Sequence, residues 1–171
     1  VKSGELKELT LTTNGSRLAQ YAHELADCGI KRINVSLDSL NAEKFQSITR
    51  WGKLEEVMNG LAAAKNAGLE IKINAVALKD FNEDEVDDII SWCGDEGFDL
   101  TFIETMPMGE IEDDRTDQYL PLSILAERIR EKWTLEESSY QTGGPASYSV
   151  IKETGKRIGF INKQYSAHCL V

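Results

Sequence analysis

Lys72 stands in the run Ile71-Lys-Ile-Asn-Ala-Val76, where apolar and polar residues alternate with a period of two. That period puts Lys72 and Asn74 on the face opposite Ile71, Ile73 and Ala75. A lysine on the inward face of a strand has to be paired, bind an anion or serve as an amine nucleophile. An ion pair with Glu104 is the alternative, and the alternation alone leaves both open.

The same grammar surrounds other polar groups. Between Gly29 and Leu40, Ile33, Val35 and Leu37 oppose Arg32, Asn34, Ser36 and Asp38; before them, Leu9 and Leu11 oppose Thr10, Thr12 and Asn14. In a fourth run, Thr101, Ile103 and Thr105 oppose Phe102, Glu104 and Met106, less cleanly. Parallel strands covered by helices on both faces read as nearly continuous apolar runs. These do not, so they predict helices on one face and a shared polar lumen on the other.

Several neighbouring features have ordinary structural readings. Thr12-Thr-Asn-Gly15 reads as a strand-to-helix loop with a turn-forming Asn-Gly. Gly143-Gly-Pro-Ala146 lacks the Lys-Ser or Lys-Thr and the helix of a phosphate loop, and reads as a turn. Met106 reads as core or loop filler. Cys28 and Cys93, at helix C-terminal ends, read as buried thiols, and a lone cysteine such as Cys169 is more often inert than a ligand.

Helices are predicted at Arg17–Cys28, Ala42–Ile48 and Leu54–Asn66, with another capped by Asn82 and ending near Gly94 or Gly97. Strands at 32–37, 70–77 and 99–105 each follow a helix-ending glycine, which means parallel βα units with right-handed crossovers. The polar lumen favours an α/β fold of incomplete (β/α) barrel type over a doubly wound sheet, with its site at the strand C-terminal ends. Beyond Gly109 come an acidic loop, an amphipathic helix at Pro121–Lys132 and short strands around Thr134–Glu137, Tyr148–Lys152 and Arg157–Asn162. They predict a small mixed or antiparallel extension, with Glu153-Thr-Gly-Lys as a hairpin turn. The division expected is residues 1–109 and 110–171.

Composition bounds the function. With 171 residues, 41% hydrophobic and 28% charged, the chain has the make-up of a soluble globular protein. A net charge of −10 argues against a general nucleic-acid or membrane surface, but not against a small anion held by one or two lysines. No apolar run approaches the ~18 residues of a membrane span. The 3 cysteines lack framework spacing and predict reduced thiols and a cytoplasmic location. The chain opens at Val1 and stops at Cys169-Leu-Val, and reads as a fragment.

Leu11-Thr-Thr-Asn-Gly15, Ile33-Asn-Val-Ser-Leu-Asp-Ser-Leu40, Ile71-Lys-Ile-Asn-Ala-Val76 and Phe102-Ile-Glu-Thr-Met-Pro-Met-Gly109, taken in this order, resemble one family. It is the radical S-adenosylmethionine GTP 3′,8-cyclases of molybdenum cofactor biosynthesis. Gly144-Pro-Ala-Ser-Tyr148, Ile158-Gly-Phe-Ile161 and the approach to Cys169 continue the match. The resemblance implies an incomplete barrel with a C-terminal extension. It also implies conversion of GTP to (8S)-3′,8-cyclo-7,8-dihydroguanosine 5′-triphosphate by way of a 5′-deoxyadenosyl radical, with S-adenosylmethionine and two [4Fe–4S] clusters as cofactors. Carried over by position, Ser36 and Met106 contact S-adenosylmethionine, and Thr12 and Lys72 contact GTP. Cys169 is a ligand of the second cluster, its partners lying outside the chain.

The departures are as informative. The Cys-x-x-x-Cys-x-x-Cys of the S-adenosylmethionine-cleaving cluster and the Gly-Gly-Glu-Pro strand of the family are absent from this sequence. The chain therefore resembles the middle of the enzyme and carries half-sites, with no catalytic residue of its own and neither cluster expected complete. Alone it is expected to be inactive and to self-associate. The competing readings are a Schiff-base aldolase or lyase with Lys72 as nucleophile, and a non-catalytic binding module derived from a barrel.

Overall fold

The computed structural model describes residues 9–105, 118–142 and 144–162. In chain order the elements are β1 (Thr10–Thr13), α1 (Leu18–Asp27), β2 (Arg32–Ser36), α2 (Ala42–Thr49), α3 (Leu54–Asn66), β3 (Glu70–Ala77), α4 (Val86–Glu96), β4 (Asp99–Glu104), α5 (Leu122–Lys132), β5 (Leu135–Glu137), β6 (Ser147–Ile151) and β7 (Lys156–Ile161). The fold is mixed α/β, with seven strands in the order β1-β2-β3-β4-β7-β6-β5. The chain divides into two compact units, Val1–Asn74 and Ala75–Val171, the boundary falling inside β3. No helix among the described residues is long and apolar enough to cross a membrane.

In the first unit β1, β2 and the start of β3 pair in parallel. The β-branched residues of the sheet's covered face, Ile33, Val35, Ile71 and Ile73, are 0–6% exposed. Helices α1 and α3 bury Leu18 and Ala22 from one, and Val57, Leu61 and Ala64 from the other. Both end on the same device. A glycine in the left-handed region (Gly29, φ 89°; Gly68, φ 77°) is followed by a residue whose N–H reaches back to the last turn, Ile30 to Leu25 and Leu69 to Ala64. Helix α2 starts on Asn41, whose side-chain oxygen accepts from the N–H groups of Glu43 and Lys44 at 2.9 and 3.1 Å.

The second unit opens with the last residues of β3. Asn82 does not cap the helix that follows it. Its side chain is 3% exposed, accepts from Leu78 N–H and donates to the Val76 carbonyl, both at 2.8 Å. Buried backbone groups at the exit of β3 need partners, and that demand outweighs helix capping. Helix α4 runs through Gly94 and ends at Gly97, φ 83°. The strands beyond residue 110 form a mixed set, in which β5–β6 and β6–β7 are antiparallel and β7 lies parallel to β4. Arg157 of β7 is fixed by Asp99 of β4, which accepts from its N–H at 3.1 Å and its Nε at 2.9 Å, while the guanidinium stacks 3.8 Å from the Tyr140 ring centre.

Candidate functional site

Strand register decides which polar side chains share a face in the first unit. Thr12 pairs with Asn34, and Asn34 with Lys72, so the three form one lateral row. Ser36 pairs with Asn74 in the next row toward the strand C-terminal ends, and Thr10, Arg32 and Glu70 form the row before. The rows between point the other way: Leu11, Ile33 and Ile71, then Thr13, Val35 and Ile73. Exposure follows the same parity. In β3, Ile71 and Ile73 are buried and Lys72 and Asn74 half-buried, while Thr12 and Ser36 are exposed.

Polar contacts tie the rows together. Arg32 Nη2 donates to Thr10 Oγ1 at 3.4 Å, and Asn34 Nδ2 donates to Thr12 Oγ1 at 3.3 Å. Leu37 N–H donates to the Asn74 carbonyl at 2.9 Å, which closes β2 onto β3 just past Ser36. Two acceptors are left over. The side-chain oxygens of Asn34 and Asn74 are buried without a hydrogen-bond partner among the described residues. Besides the Thr10–Arg32–Glu70 row, this face thus carries the Lys72 ammonium, the Thr12 and Ser36 hydroxyls and two carbonyl acceptors unfilled among the described residues. A cation matches a phosphate, and carbonyl acceptors match hydroxyl or amino donors, the inventory of a nucleotide.

The structure sorts the sequence expectations. Thr12 and Lys72 share a row, and Ser36 stands one row on, on the same face. Met106, Gly143 and Cys169 lie outside the described residues. Glu104, 7% exposed, has both carboxylate oxygens engaged: Tyr119 Oη donates to Oε1 at 3.1 Å and Leu122 N–H to Oε2 at 3.0 Å. It holds the first turn of α5, where a carboxylate meets unsatisfied N–H groups and the positive end of the helix dipole.

Cys28, expected to be buried, is exposed. Helical geometry places it about 80° round from Leu18 and off the buried stripe of α1. Cys93 is buried, and loss of solvent pushes its thiol well above the ordinary range. Among the described residues no group of three or more His, Cys, Asp or Glu could hold a metal ion. Those residues therefore do not by themselves provide a ligand set for an iron–sulfur cluster.

Sequence parity put Asn34 and Asn74 on the polar face without marking them as site residues. Both follow an isoleucine in an Ile-Asn pair, and only the structure reveals their unfilled oxygens.

Comparison with known proteins adds to this geometry. Residues 2–93, more than half of the chain, match the Radical SAM superfamily, and residues 98–170 match Molybdenum Cofactor Synthesis C. The chain is 60% identical over 169 residues to a GTP 3′,8-cyclase of Brucella canis, covering 99% of this chain and 49% of that protein. The corresponding protein of Agrobacterium fabrum is 59% identical over 169 residues, covering 99% and 48%. That of Mesorhizobium japonicum is 59% identical over 167 residues, covering 98% and 50%. The chain spans about half the length of the curated relatives it matches.

Proposed function

The chain belongs to the radical SAM superfamily, and on that premise we propose that it supplies nucleotide- and S-adenosylmethionine-binding strands of a GTP 3′,8-cyclase. The observation that carries this reading is the row Thr12–Asn34–Lys72, with Ser36 and Asn74 beside it, in a chain 60% identical to an enzyme of that name. Lys72 neutralises a phosphate of GTP and Thr12 bonds the same nucleotide. Ser36, at the end of β2, contacts S-adenosylmethionine, and the unfilled Asn74 oxygen beside it suits a sugar hydroxyl. The apolar rows behind the face hold these groups on adjacent strands, about 4.8 Å apart.

Superfamily membership implies S-adenosylmethionine and a [4Fe–4S] cluster, which together supply the radical that breaks a ribose C–H bond. Among the described residues no group of three or more His, Cys, Asp or Glu is placed to hold it. Met106 as an S-adenosylmethionine contact and Cys169 as a ligand of a second cluster rest on the sequence match alone. The first 109 residues are read as strands of an incomplete (β/α) barrel and residues 110–171 as part of a C-terminal extension, in a protein working in the reducing cytoplasm.

Calorimetric titration of the full-length protein tests the reading. Lys72→Ala removes a charge-assisted contact and weakens GTP by about 10- to 100-fold, leaving S-adenosylmethionine unchanged. Ser36→Ala does the reverse. Equal losses of both ligands in both variants would mean that the two sites are misassigned.

A further inference from the structure

We propose that Asn34 is a further ligand-positioning residue of this face: its Nδ2 orients the Thr12 hydroxyl, and its Oδ1 accepts a ribose hydroxyl of the bound nucleotide. The inference deepens the function proposed above and rests on it. Asn34 stands in the middle of the row, with Thr12 on one neighbouring strand and Lys72 on the other. Because Asn34 Nδ2 donates to Thr12 Oγ1 at 3.3 Å, that oxygen is an acceptor on this side and its own proton is directed elsewhere. The Thr12 O–H is thereby turned into a donor for a ligand.

The other half of the amide supplies the second argument. Asn34 Oδ1 is buried and has no hydrogen-bond partner among the described residues. Buried acceptors are nearly always paired, since an unfilled one forfeits its hydration for nothing. A donor arriving with the ligand fills it. Lys72 lies one strand away, about 4.8 Å. In a nucleoside triphosphate anchored there by its α-phosphate, the next group along the molecule is the ribose, whose hydroxyls are donors. The donors of the base lie beyond the sugar.

The test titrates the full-length protein and its Asn34→Leu variant with GTP, 2′-deoxy-GTP, 3′-deoxy-GTP and inosine triphosphate. The unsubstituted protein is expected to bind one of the two deoxy analogues about tenfold or more weakly than GTP. Asn34→Leu is expected to bind GTP about tenfold more weakly, yet to bind that same analogue as the unsubstituted protein does. Its ligand-free melting temperature should be unchanged or higher, because the unfilled acceptor has gone.

Equal weakening towards GTP and both deoxy analogues, no weakening, or a lower ligand-free melting temperature would each overturn the assignment and leave Asn34 a structural residue. Sensitivity lost towards inosine triphosphate instead would move the donor to the base and overturn the ribose contact. If the unsubstituted protein binds none of the nucleotides, the GTP reading itself falls and takes this one with it.

Discussion

Gly60→Ala sets two effects of opposite sign against each other. Gly60 sits in the middle of α3, where alanine is the better helix former by about 0.8–1 kcal/mol. It is buried, and a Cβ built there would stand 2.7 Å from the Gly15 carbonyl oxygen and 2.9 Å from Leu18 Cβ. Overpacking costs about 1–3 kcal/mol. The upper part of that range applies, because the first atom met is a backbone oxygen that cannot rotate away. Nor can its turn yield: Gly15 has φ 78°, and its own Cβ position is 3.0 Å from Val57 Cγ1 and 3.1 Å from Val35 Cγ1.

The net expectation is a loss of about 1–2 kcal/mol. For a chain of this size that is a fall in melting temperature of about 2–8 °C, read by circular dichroism. The same turn follows Thr12, so on the proposed reading the GTP affinity of the full-length protein should fall with it. Gly29→Ala is the control. Nothing lies within 4 Å of its Cβ position and only the left-handed φ of 89° is strained, so it should lower the melting temperature without touching GTP affinity. A rise in melting temperature for Gly60→Ala would show that helix propensity decides and that α3 does not press on the β1–α1 turn.

Three further outcomes are expected. Glu83 accepts from the Asp80 N–H at 2.8 Å and pairs with Arg128, which together hold its carboxyl below the ordinary value of 4.5. The stability this gives is fully present above pH 4.5 and is lost as pH falls through the lower folded value; Glu83→Gln should flatten that acid limb in pH-dependent urea unfolding, and an unaltered limb would refute the linkage. Alkylation followed by peptide mass spectrometry should modify exposed Cys28 within the native protein and buried Cys93 only after unfolding; comparable native rates would contradict the assigned burial. Strand β1 ends the strand order, with Leu9 beside it 48% exposed, so the isolated chain should associate with rising concentration in light scattering and Leu9→Lys should reduce this; a concentration-independent monomer would refute it.

Local signals carried much of the fold. Strand β3 and helix α3 match the ranges read from alternation and from helical spacing ended by Gly68, since both are set within a few residues. The polar face was legible for the same reason: a period of two fixes which side Thr12, Ser36 and Lys72 take. Long-range pairing was not legible. No local pattern says that β7 lies parallel to β4, that Glu104 holds the start of α5, or that Asn82 serves the exit of β3 in place of a helix. Asn34 and Asn74 illustrate the limit within the site itself. Their place on the face followed from parity, but their unfilled oxygens depend on which strands stand beside them.

The central claim is that the polar face of β1, β2 and β3 receives the nucleotide through Lys72. Lysine acetylation of the full-length protein, with and without GTP and quantified residue by residue by mass spectrometry, tests it most directly. The account predicts that GTP selectively protects Lys72 and leaves Lys65, exposed on α3, as reactive as before. Lys72 reacting equally in both samples, while lysines elsewhere become protected, would contradict it.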